Sequence, residues 1–375
     1  MARAAQAGLG AGIRGGLVVG PVAVAVDPPL VFIQGEHPEP GAGSETAGRE
    51  VLALCDALPD AAQLLVLLSG GASALMVAPA EGIRLEDKRA AAQTLMRAGA
   101  DIYALNTVRK HASAVKGGWL AARSRAACRT LAISDVIGDD LSVIGSGPTV
   151  ADPSTFRDAL DILDRFGGAA AYPRAIVERF ENGVRGLCPE TPKPHDPRLA
   201  RSVATVVGGR HDAMRGAAEA ARARGYRTVV VEEALRGEAR EAGLAHLERC
   251  VQEAAIAAGP VCVVASGEPT VTVTGEGRGG RNQEFVLAAV ERLAGFQGPM
   301  AMASVGTDGV DGPTPAAGAI VDSTTAARAR SAGLSPGASL AANDSFAFFS
   351  ALGDLISTGP TGTNVGDLQI FLSIS

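Results

Sequence analysis

Short apolar runs separated by glycine-rich and polar segments recur along the chain and predict an α/β protein. A prominent run, Leu64–Leu68, leads directly into a loop of small residues, Ser69–Ser73. A short apolar run bounded by glycine is typical of a strand that is buried on both faces. We therefore expect this strand at the centre of a parallel sheet.

The loop Ser69-Gly70-Gly71-Ala72-Ser73 has the composition of an anion-binding turn. Glycine permits positive φ and close approach of the backbone, and the serine hydroxyls add hydrogen-bond donors. A strand followed by a small-residue loop and a helical turn presents backbone N–H groups to an anion. A tight turn at the end of a core strand explains the same residues equally well.

In the first half of the chain, hydrophobic periodicity predicts further strands and helices. The strands are expected within Leu17–Val26 and at Arg129–Ser134, and the helices at Ala47–Ala57, Leu85–Tyr103 and Ser154–Phe166. The segment 183–202 contains four prolines among polar residues, which is typical of a linker.

After this segment the alternation of strand and helix restarts, which indicates parallel βα units. The strands are expected at Val203–Val207, Thr228–Glu232, Val261–Ala265, Thr270–Thr274, Met300–Val305 and Leu368–Ile374, and the helices at Asp212–Arg224, Arg236–Ala258, Phe285–Leu293 and from Ser345 to Leu352. We predict two α/β/α domains with largely parallel or mixed sheets, one at residues 1–190 and one at residues 200–375.

Composition narrows the class of protein. The 375 residues carry a formal net charge of −6, which argues against nucleic acid as the main partner. The five cysteines are scattered, as is typical of reduced core residues in a cytoplasmic protein. No apolar run reaches the length of a membrane span, so we expect no membrane partner.

A basic block lies in the first half, where Arg109, Lys110, His111 and Lys116 fall within eight positions. A run of charges usually marks a solvated helix face. Two of the four lysines in the chain belong to this block, and a Gly-Gly pair follows it. These two features favour an element that faces an anion.

Two aspartates follow predicted buried strands, Asp135 after Arg129–Ser134 and Asp308 after Met300–Val305. Ligands of open α/β sheets bind at the carboxyl ends of the strands. Either carboxylate could bind Mg²⁺ or accept a substrate proton. Capping a helix or forming a turn is the structural alternative.

A glycine loop, Gly275–Gly280, precedes the predicted helix Phe285–Leu293 and matches the spacing of a dinucleotide-binding loop. Arg278 lies within this loop and Arg281 directly follows it, and guanidinium groups suit phosphate oxygens better than they suit a dinucleotide turn. The next strand also lacks the acidic residue that would bind a ribose. We therefore expect phosphate binding here. A Gly-Lys pair does not occur in the chain, so a kinase of this sequence would not be of the P-loop class.

Together these segments resemble the glycerate 2-kinase family, also called class II glycerate kinases or the MOFRL family. The resemblance extends over nearly the whole chain, in the order Ser69-Gly-Gly-Ala-Ser-Ala-Leu, Asn106-Thr-Val-Arg-Lys-His, Lys116-Gly-Gly, Ile133-Ser-Asp-Val, Gly145-Ser-Gly-Pro-Thr, Gly277-Arg-Gly-Gly-Arg-Asn-Gln-Glu, Gly306-Thr-Asp-Gly-Val-Asp-Gly and Asn364-Val-Gly-Asp.

The resemblance implies transfer of the γ-phosphoryl group of ATP to the 2-hydroxyl of D-glycerate, with Mg²⁺, giving 2-phosphoglycerate. It implies two domains that face an interdomain cleft, and it allows a homodimer. Phosphoryl transfer depends mainly on positioning and charge neutralisation. In such an enzyme Arg281 would contact the transferring group, Lys116 would neutralise charge, and Asp135 and Asp308 would bind magnesium or take the hydroxyl proton. Nucleotide phosphates would be bound by Ser69, Gly70, Gly71, Ser73, Gly277, Gly279, Gly280 and Asn282.

The chain departs from the family pattern at two places. Family members begin with a further helix and strand that lead to a Gly-Lys-Ala motif, and here Arg3 would replace that lysine. Ser266-Gly267-Glu268 stands where two glycines are expected. Two alternatives therefore stay open. One is an NAD(P)H-dependent hydroxypyruvate reductase, a name that some relatives carry, and the other is a catalytically impaired, N-terminally truncated member.

Overall fold

The strands and helices of the chain form two compact units in a computed structural model that describes residues 1–257 and 259–374. The first unit contains Met1–Ala132 and Asp139–Val207. The second contains Ile133–Gly138 and Gly208–Ser375. The short segment that carries Asp135 therefore belongs to the second unit, although it lies within the first half of the sequence.

The first unit alternates helices with short strands. The strands are β1 (Gly16–Gly20), β2 (Leu30–Gln34), β3 (Gln63–Leu68), β4 (Ala127–Ile133) and β5 (Ser202–Gly208), and the helices are α1 (Ala2–Leu9), α2 (Ala42–Ala57), α3 (Ala72–Leu75), α4 (Leu85–Arg97), α5 (Ile102–His111), α6 (Trp119–Arg123), α7 (Phe156–Arg165) and α8 (Arg174–Val184). Of the predicted strand region Leu17–Val26, only the part within β1 is a strand, and β2 was not predicted.

The strands of the first unit form two sheets, one of β1 and β2 in parallel and one in the order β3-β4-β5. β3 is parallel to β4, as predicted, but β4 is the central strand. Leu65, Val66 and Leu67 of β3 are only half-buried. The predicted central position of β3 is therefore wrong, because an apolar run does not distinguish a strand at the edge from one in the middle.

The predicted single helix Leu85–Tyr103 is two helices, α4 and α5. Gly99 has a φ of 78°, and Ala100 N donates to Leu95 O across the end of α4 in a Schellman arrangement. Asp101 then accepts a hydrogen bond from Ala104 N and caps α5. The aromatic core of α7 and α8, with Phe156 and Phe180, packs against both helices and fixes the position of α5.

The second unit is built on one larger sheet. Its strands are β6 (Arg227–Val230), β7 (Val261–Gly267), β8 (Met300–Gly306), β9 (Gly318–Asp322), β10 (Leu355–Ile356) and β11 (Asp367–Ser373), and its helices are α9 (Arg210–Arg222), α10 (Ala239–Ala255), α11 (Arg281–Leu293), α12 (Thr325–Ser331), α13 (Pro336–Ala341) and α14 (Ser345–Leu352). The last residue of the predicted helix Arg236–Ala258 lies outside the described residues.

The sheet of the second unit has the order β10-β9-β8-β11-β7-β6. β6 and β7 are parallel, whereas β11 is antiparallel to both of its neighbours, β7 and β8. The α/β class with mixed sheets is confirmed. Asp367, the first residue of β11, pairs with Gly267 and with Gly306, so it lies at the carboxyl ends of two strands at once.

The predicted strand Thr270–Thr274 is wrong, because side chains take the place of a partner strand. Thr272 N donates to the carboxylate of Glu238, and Thr274 N donates to Asn343 Oδ1. Only Thr270 makes a bridge to another segment, at Glu238. Alternating polar and apolar residues predict an extended conformation, and here that conformation is stabilised by a carboxylate and an amide.

Among the described residues, none of the helices is both long and apolar enough to cross a membrane.

Candidate active site

Lys116 lies in a tight turn after α5, and the glycines that follow it anchor this turn. Gly117 N donates to Ser146 O at 3.0 Å, and Gly118 N donates to Gly147 O at 2.8 Å. Both glycines have positive φ, and a Cβ at position 118 would lie 2.8 Å from a backbone oxygen. The Gly-Gly pair of the sequence is therefore required to bring Lys116 to its position.

The ammonium group of Lys116 is directed at the small-residue loop. Its Nζ lies 2.7 Å from Ser73 O and 3.1 Å from Ser73 Oγ, and the residue is 2% exposed. Burial, together with the nearby Arg109, lowers the pKa of Lys116 to about 7. Within the described part of the chain, no carboxylate forms an ion pair with Lys116.

Two further cations lie close to Lys116. The guanidinium of half-buried Arg109 makes no hydrogen bond or ion pair with the described residues, and burial lowers its pKa. Lys88 Nζ donates to the carbonyls of Ala112 and Arg109, and burial lowers the pKa of Lys88 well below its usual value. Positive charge thus accumulates here without a compensating carboxylate, as expected of a site for an anion.

The other two members of the basic block are paired. Lys110 Nζ lies 3.3 Å from Asp152 Oδ1, and His111 Nε2 lies 2.9 Å from Glu190 Oε1. Burial acts to raise the pKa of Glu190, but hydrogen bonds from His111 and from a backbone N–H outweigh it and lower the pKa to about 2. The block therefore divides into two residues that are paired with acids, Lys110 and His111, and two, Arg109 and Lys116, that form no ion pair with the described residues.

The loop Ser69–Ser73 leaves hydrogen-bond donors unused. The N–H groups of Gly70, Gly71 and Ser73 donate to no atom of the described residues. Gly71 has a φ of 80°, and a Cβ there would lie 3.0 Å from the ring of His37. The unpaired donors and the adjacent Lys116 can together bind phosphate or carboxylate oxygens.

In the second unit, Arg281 is the first residue of α11 and its guanidinium binds two acids. Nε and Nη2 lie 2.7 Å and 3.0 Å from the two oxygens of Asp367, and Nη1 lies 3.3 Å from Glu268 Oε1. This two-point pairing fixes the guanidinium plane. Three of the five N–H donors of Arg281 are thus used within the protein.

Further carboxylates surround this pair. Asp367 is 2% exposed, and burial raises its pKa while Arg281 opposes the rise. Burial also raises the pKa of Glu268, with Asp367 and Asp135 adding to the rise. Asp135 and Arg210 both line one narrow pocket, and Nη1 of Arg210 is buried and makes no hydrogen bond with the described residues.

Asp308 lies in the turn after β8. Its Oδ1 accepts a hydrogen bond from Val310 N at 3.0 Å, and its charge contributes to the raised pKa of Asp367. Within residues 1–257 and 259–374, no group of three or more His, Cys, Asp or Glu residues is placed to hold a metal ion. Mg²⁺ that arrives with nucleotide phosphates needs only one or two carboxylates, which Asp135 and Asp308 can supply.

The N-terminus of α11 is already capped. Asp311 is 2% exposed and accepts hydrogen bonds from the backbone N–H groups of Asn282 and Gln283, at 3.0 Å and 2.9 Å, and from both of their side chains. Asp311 thus occupies two of the N–H groups at the start of this helix, and the expected binding of phosphate by Gly277, Gly279, Gly280 and Asn282 stays a prediction.

The glycine loop before α11 packs closely on other parts of the second unit. A Cβ at Gly277, Gly279 or Gly280 would lie within 2.4 Å of Asp344, Ser345 or Asp311. The absence of side chains is required for this packing, whether or not a ligand binds. Arg3, in contrast, is exposed on α1 and has no hydrogen-bond or ion-pair partner among the described residues.

Sequence reasoning missed several residues of these clusters. Asp367 lies in the family block Asn364–Asp367, which was the available signal, but its place beside Arg281 depends on β11 lying next to β7. Arg210 lies between the Gly208-Gly209 pair and the predicted helix Asp212–Arg224, and no prediction included it. Ser146 and Asn106 lie in two other family blocks, and no pattern in the sequence links them.

Comparison with known proteins gives concordant matches. Residues 1–181 match a domain of unknown function, DUF4147, and residues 261–367 match the MOFRL family. The chain is 39% identical over 380 residues to the D-glycerate 2-kinase of Thermotoga maritima, covering 100% of this chain and 88% of the relative. The crystal structure of a glycerate kinase from that organism matches with a TM-score of 0.89 at 38% identity, covering 100% of this chain and 88% of the other. An Agrobacterium vitis protein that carries a provisional hydroxypyruvate reductase name is 41% identical over 92% of this chain and 77% of its own length.

Proposed function

Because the chain belongs to the glycerate 2-kinase (MOFRL) family, we propose that it transfers the γ-phosphoryl group of ATP to the 2-hydroxyl of D-glycerate. The product is 2-phosphoglycerate. The observation that carries this proposal is the buried, acid-free Lys116 on Ser73, since a phosphotransferase needs positive charge that is not already neutralised by the protein.

In the first unit, Lys116 and Arg109 neutralise phosphate charge, and the N–H groups of Gly70, Gly71 and Ser73 bind phosphate oxygens. The lowered pKa of Lys116 reflects a cost of keeping the ammonium buried without an anion. An anionic ligand removes that cost, because it raises the pKa of the lysine again. Binding of the nucleotide or of the glycerate carboxylate is therefore coupled to protonation of Lys116.

In the second unit, Arg281 contacts the transferring group with the two N–H donors that Asp367 and Glu268 leave unused. Its orientation is set before a ligand arrives, because Asp367 holds it at two points. Such preorganised charge favours a transition state in which phosphoryl oxygens gain charge.

Mg²⁺, bound together with the nucleotide, would neutralise phosphate charge during the transfer. Asp135 is the stronger candidate ligand, because its charge contributes to the raised pKa of Glu268 and a second nearby carboxylate would favour binding of the cation. One oxygen of Asp308 accepts a hydrogen bond from Val310 N, and the other has no partner among the described residues. The same two carboxylates are candidates for accepting the proton of the substrate hydroxyl.

The structure gives the reductase alternative no support. The segment before the glycine loop Gly275–Gly280 is not a strand, and the loop glycines pack against Asp344, Ser345 and Asp311. A dinucleotide loop needs a strand before it and open space beside its glycines.

The test is turnover of D-glycerate with ATP and Mg²⁺, followed through enolase and pyruvate kinase, because enolase accepts only the 2-phosphate. We expect signal without added phosphoglycerate mutase, and loss of signal in Lys116→Met but not in Lys193→Met, a half-buried lysine of the same unit. Signal that requires the mutase would place the phosphate on the 3-hydroxyl. Oxidation of NADH by hydroxypyruvate without ATP would replace the kinase proposal with the reductase.

A further inference from the structure

Asn106 fixes the direction of a buried chain of hydrogen bonds that ends at Lys116. Its Nδ2 lies 3.4 Å from Val143 O, and its Oδ1 lies 2.9 Å from Ser146 Oγ. A backbone carbonyl only accepts, so the amide nitrogen of Asn106 must face Val143. The amide oxygen therefore faces Ser146, and Ser146 must donate to it.

The remaining directions follow from the number of hydroxyl protons. Ser146 has one proton and gives it to Asn106, so the 2.8 Å contact between Ser73 Oγ and Ser146 Oγ must be donated by Ser73. The hydroxyl of Ser73 then has no proton left, and it must accept from Lys116 Nζ at 3.1 Å. Each hydrogen bond in this buried series is therefore donated in the direction from Lys116 towards Asn106.

This arrangement commits two of the three positions on Lys116 Nζ. One N–H points to Ser73 O and a second to Ser73 Oγ. The third position has no partner within the described residues. This third position carries a proton in the ammonium and a lone pair in the neutral amine, so it is the position of Nζ that can form a hydrogen bond with a ligand.

The backbone around Ser146 supports the same arrangement. Ser146 is fully buried and has a φ of 61°, between Gly145 and Gly147 with φ of 60° and 59°. Left-handed backbone at a residue with a Cβ is strained and persists where its surroundings require it. The carbonyls of Ser146 and Gly147 also accept from the two glycines after Lys116, so one loop holds both the backbone and the ammonium of the lysine.

We propose that Asn106 and Ser146 are positioning residues, which fix Ser73 as an acceptor for Lys116 and leave the third Nζ position of the lysine for an oxygen of an anionic ligand. The inference deepens the proposed function and rests on it for the identity of that anion. The charged groups that act on Lys116 are Arg109 and Lys88, both cations. Among the described residues, the groups that favour the ammonium are therefore the carbonyl of Ser73 and the chain of hydroxyls.

The test uses the scarcity of lysine. With only four lysines in the full chain, [ε-¹³C]lysine NMR resolves each amine, and Lys116→Arg assigns the signal of interest. In Ser146→Gly, which also relieves the left-handed backbone, Ser73 becomes free to donate to the neutral amine. We expect the titration midpoint of Lys116 to fall by about half a unit or more.

Two further variants separate positioning from general loss of stability. Asn106→Leu removes the acceptor and should lower the midpoint in the same way, whereas Asn106→Asp keeps an acceptor and should hold it at or above that of the unsubstituted protein. Thr130→Val removes another fully buried hydroxyl, which donates to Thr149 at 2.7 Å, and should leave the midpoint unchanged.

Inorganic phosphate serves as the anionic probe. The Lys116 signal of the unsubstituted protein should respond to phosphate at a concentration at least fivefold lower than that of Ser146→Gly. An unchanged midpoint in both Ser146→Gly and Asn106→Leu, or an equal shift in Thr130→Val, would overturn the inference. None of these NMR measurements depends on turnover, so their failure can be distinguished from a failure of the test of kinase activity.

Discussion

The two units each hold one cation that the family resemblance assigns to the reaction, and the protein treats the two cations in opposite ways. Lys116 is buried against Ser73 with other cations nearby and without a carboxylate among the described residues. Arg281 is held by Asp367 and Glu268, and it is surrounded by more acid than it can neutralise. One site is positive and lacks an anion among the described residues, and the other combines arginines with the carboxylates Asp367, Glu268 and Asp135.

The difference separates a cation that awaits a ligand from one that is already part of the framework. A buried charge without a partner reduces the free energy of unfolding, and it is retained where function requires it. Removing such an unpaired charge does not destabilise the fold, whereas breaking a buried ion pair does, since the acid left behind has no partner. Stability and activity should therefore respond differently to substitution at the two sites.

The largest expected effect on activity comes from Lys116→Met. Loss of the ammonium should lower kcat/KM for glycerate phosphorylation by about 100-fold or more. The same substitution removes an unpaired buried charge, so the midpoint of urea unfolding should stay constant or rise. A variant that is both inactive and clearly less stable would contradict the contrast between the two sites.

Arg281→Met should instead destabilise the second unit. Removing the guanidinium leaves buried Asp367 unpaired, and the free energy of unfolding should fall by about 3 kcal/mol. The double variant Arg281→Met/Asp367→Asn should recover most of that loss in equilibrium denaturation. If the single variant is as stable as the unsubstituted protein, the pair does not support the fold as described.

Asp311→Ala tests the capped helix start beside Arg281. The backbone N–H groups of Asn282 and Gln283 lose their acceptor, and the free energy of unfolding should fall by about 2 kcal/mol. Phosphate that stabilises this variant, but not the unsubstituted protein, would show that Asp311 occupies an anion position. An unchanged unfolding curve would argue against the cap.

The smallest effect, measured per pH unit, is a dependence of stability on pH. The pKa of Lys116 is about 7 in the folded chain and close to the ordinary lysine value when unfolded, so between these values the unfolded state binds more protons. The stability of the unsubstituted protein relative to Lys116→Met should therefore rise with pH above about 7, by about 1 kcal/mol per unit.

The activity of the enzyme should fall over the pH range in which the contribution of Lys116 to stability rises. As pH rises through about 7, kcat/KM should fall, because the ammonium is the form that binds an anion. Stability curves of the two proteins that run parallel over this range would show that Lys116 titrates normally.

The local pattern of hydrophobic and polar residues was sufficient to predict many of the strands and helices. The strands β4 and β8 and the helix α11 were expected close to where they lie, because each has a clear hydrophobic period and a glycine or polar residue at its ends. The end of α4 was readable in principle, since Gly99 and Asp101 are stop and start signals that a long amphipathic pattern concealed.

What the sequence did not predict depends on contacts between distant segments. Asp367 reaches Arg281 only because β11 lies between β7 and β8. The role of Ser146 depends on contacts with Ser73 and Asn106, which are distant from it in the sequence. The capping of α11 depends on Asp311, which is likewise distant from that helix in the sequence. In the first unit, the predicted anion loop has donors without a partner among the described residues. In the second unit, Asp311 occupies two N–H groups at the predicted phosphate site.

The position of β11 also affects how the protein is made. β11 is one of the two central strands of this sheet and the last strand among the described residues, so a ribosome has translated the other strands of the sheet before β11 emerges. Until then β7 and β8 expose apolar residues and unpaired edges, which favour association with chaperones or with other nascent chains. Arg281 also lacks its two-point partner during that interval, so the second site acquires its final charge only when synthesis reaches Asp367.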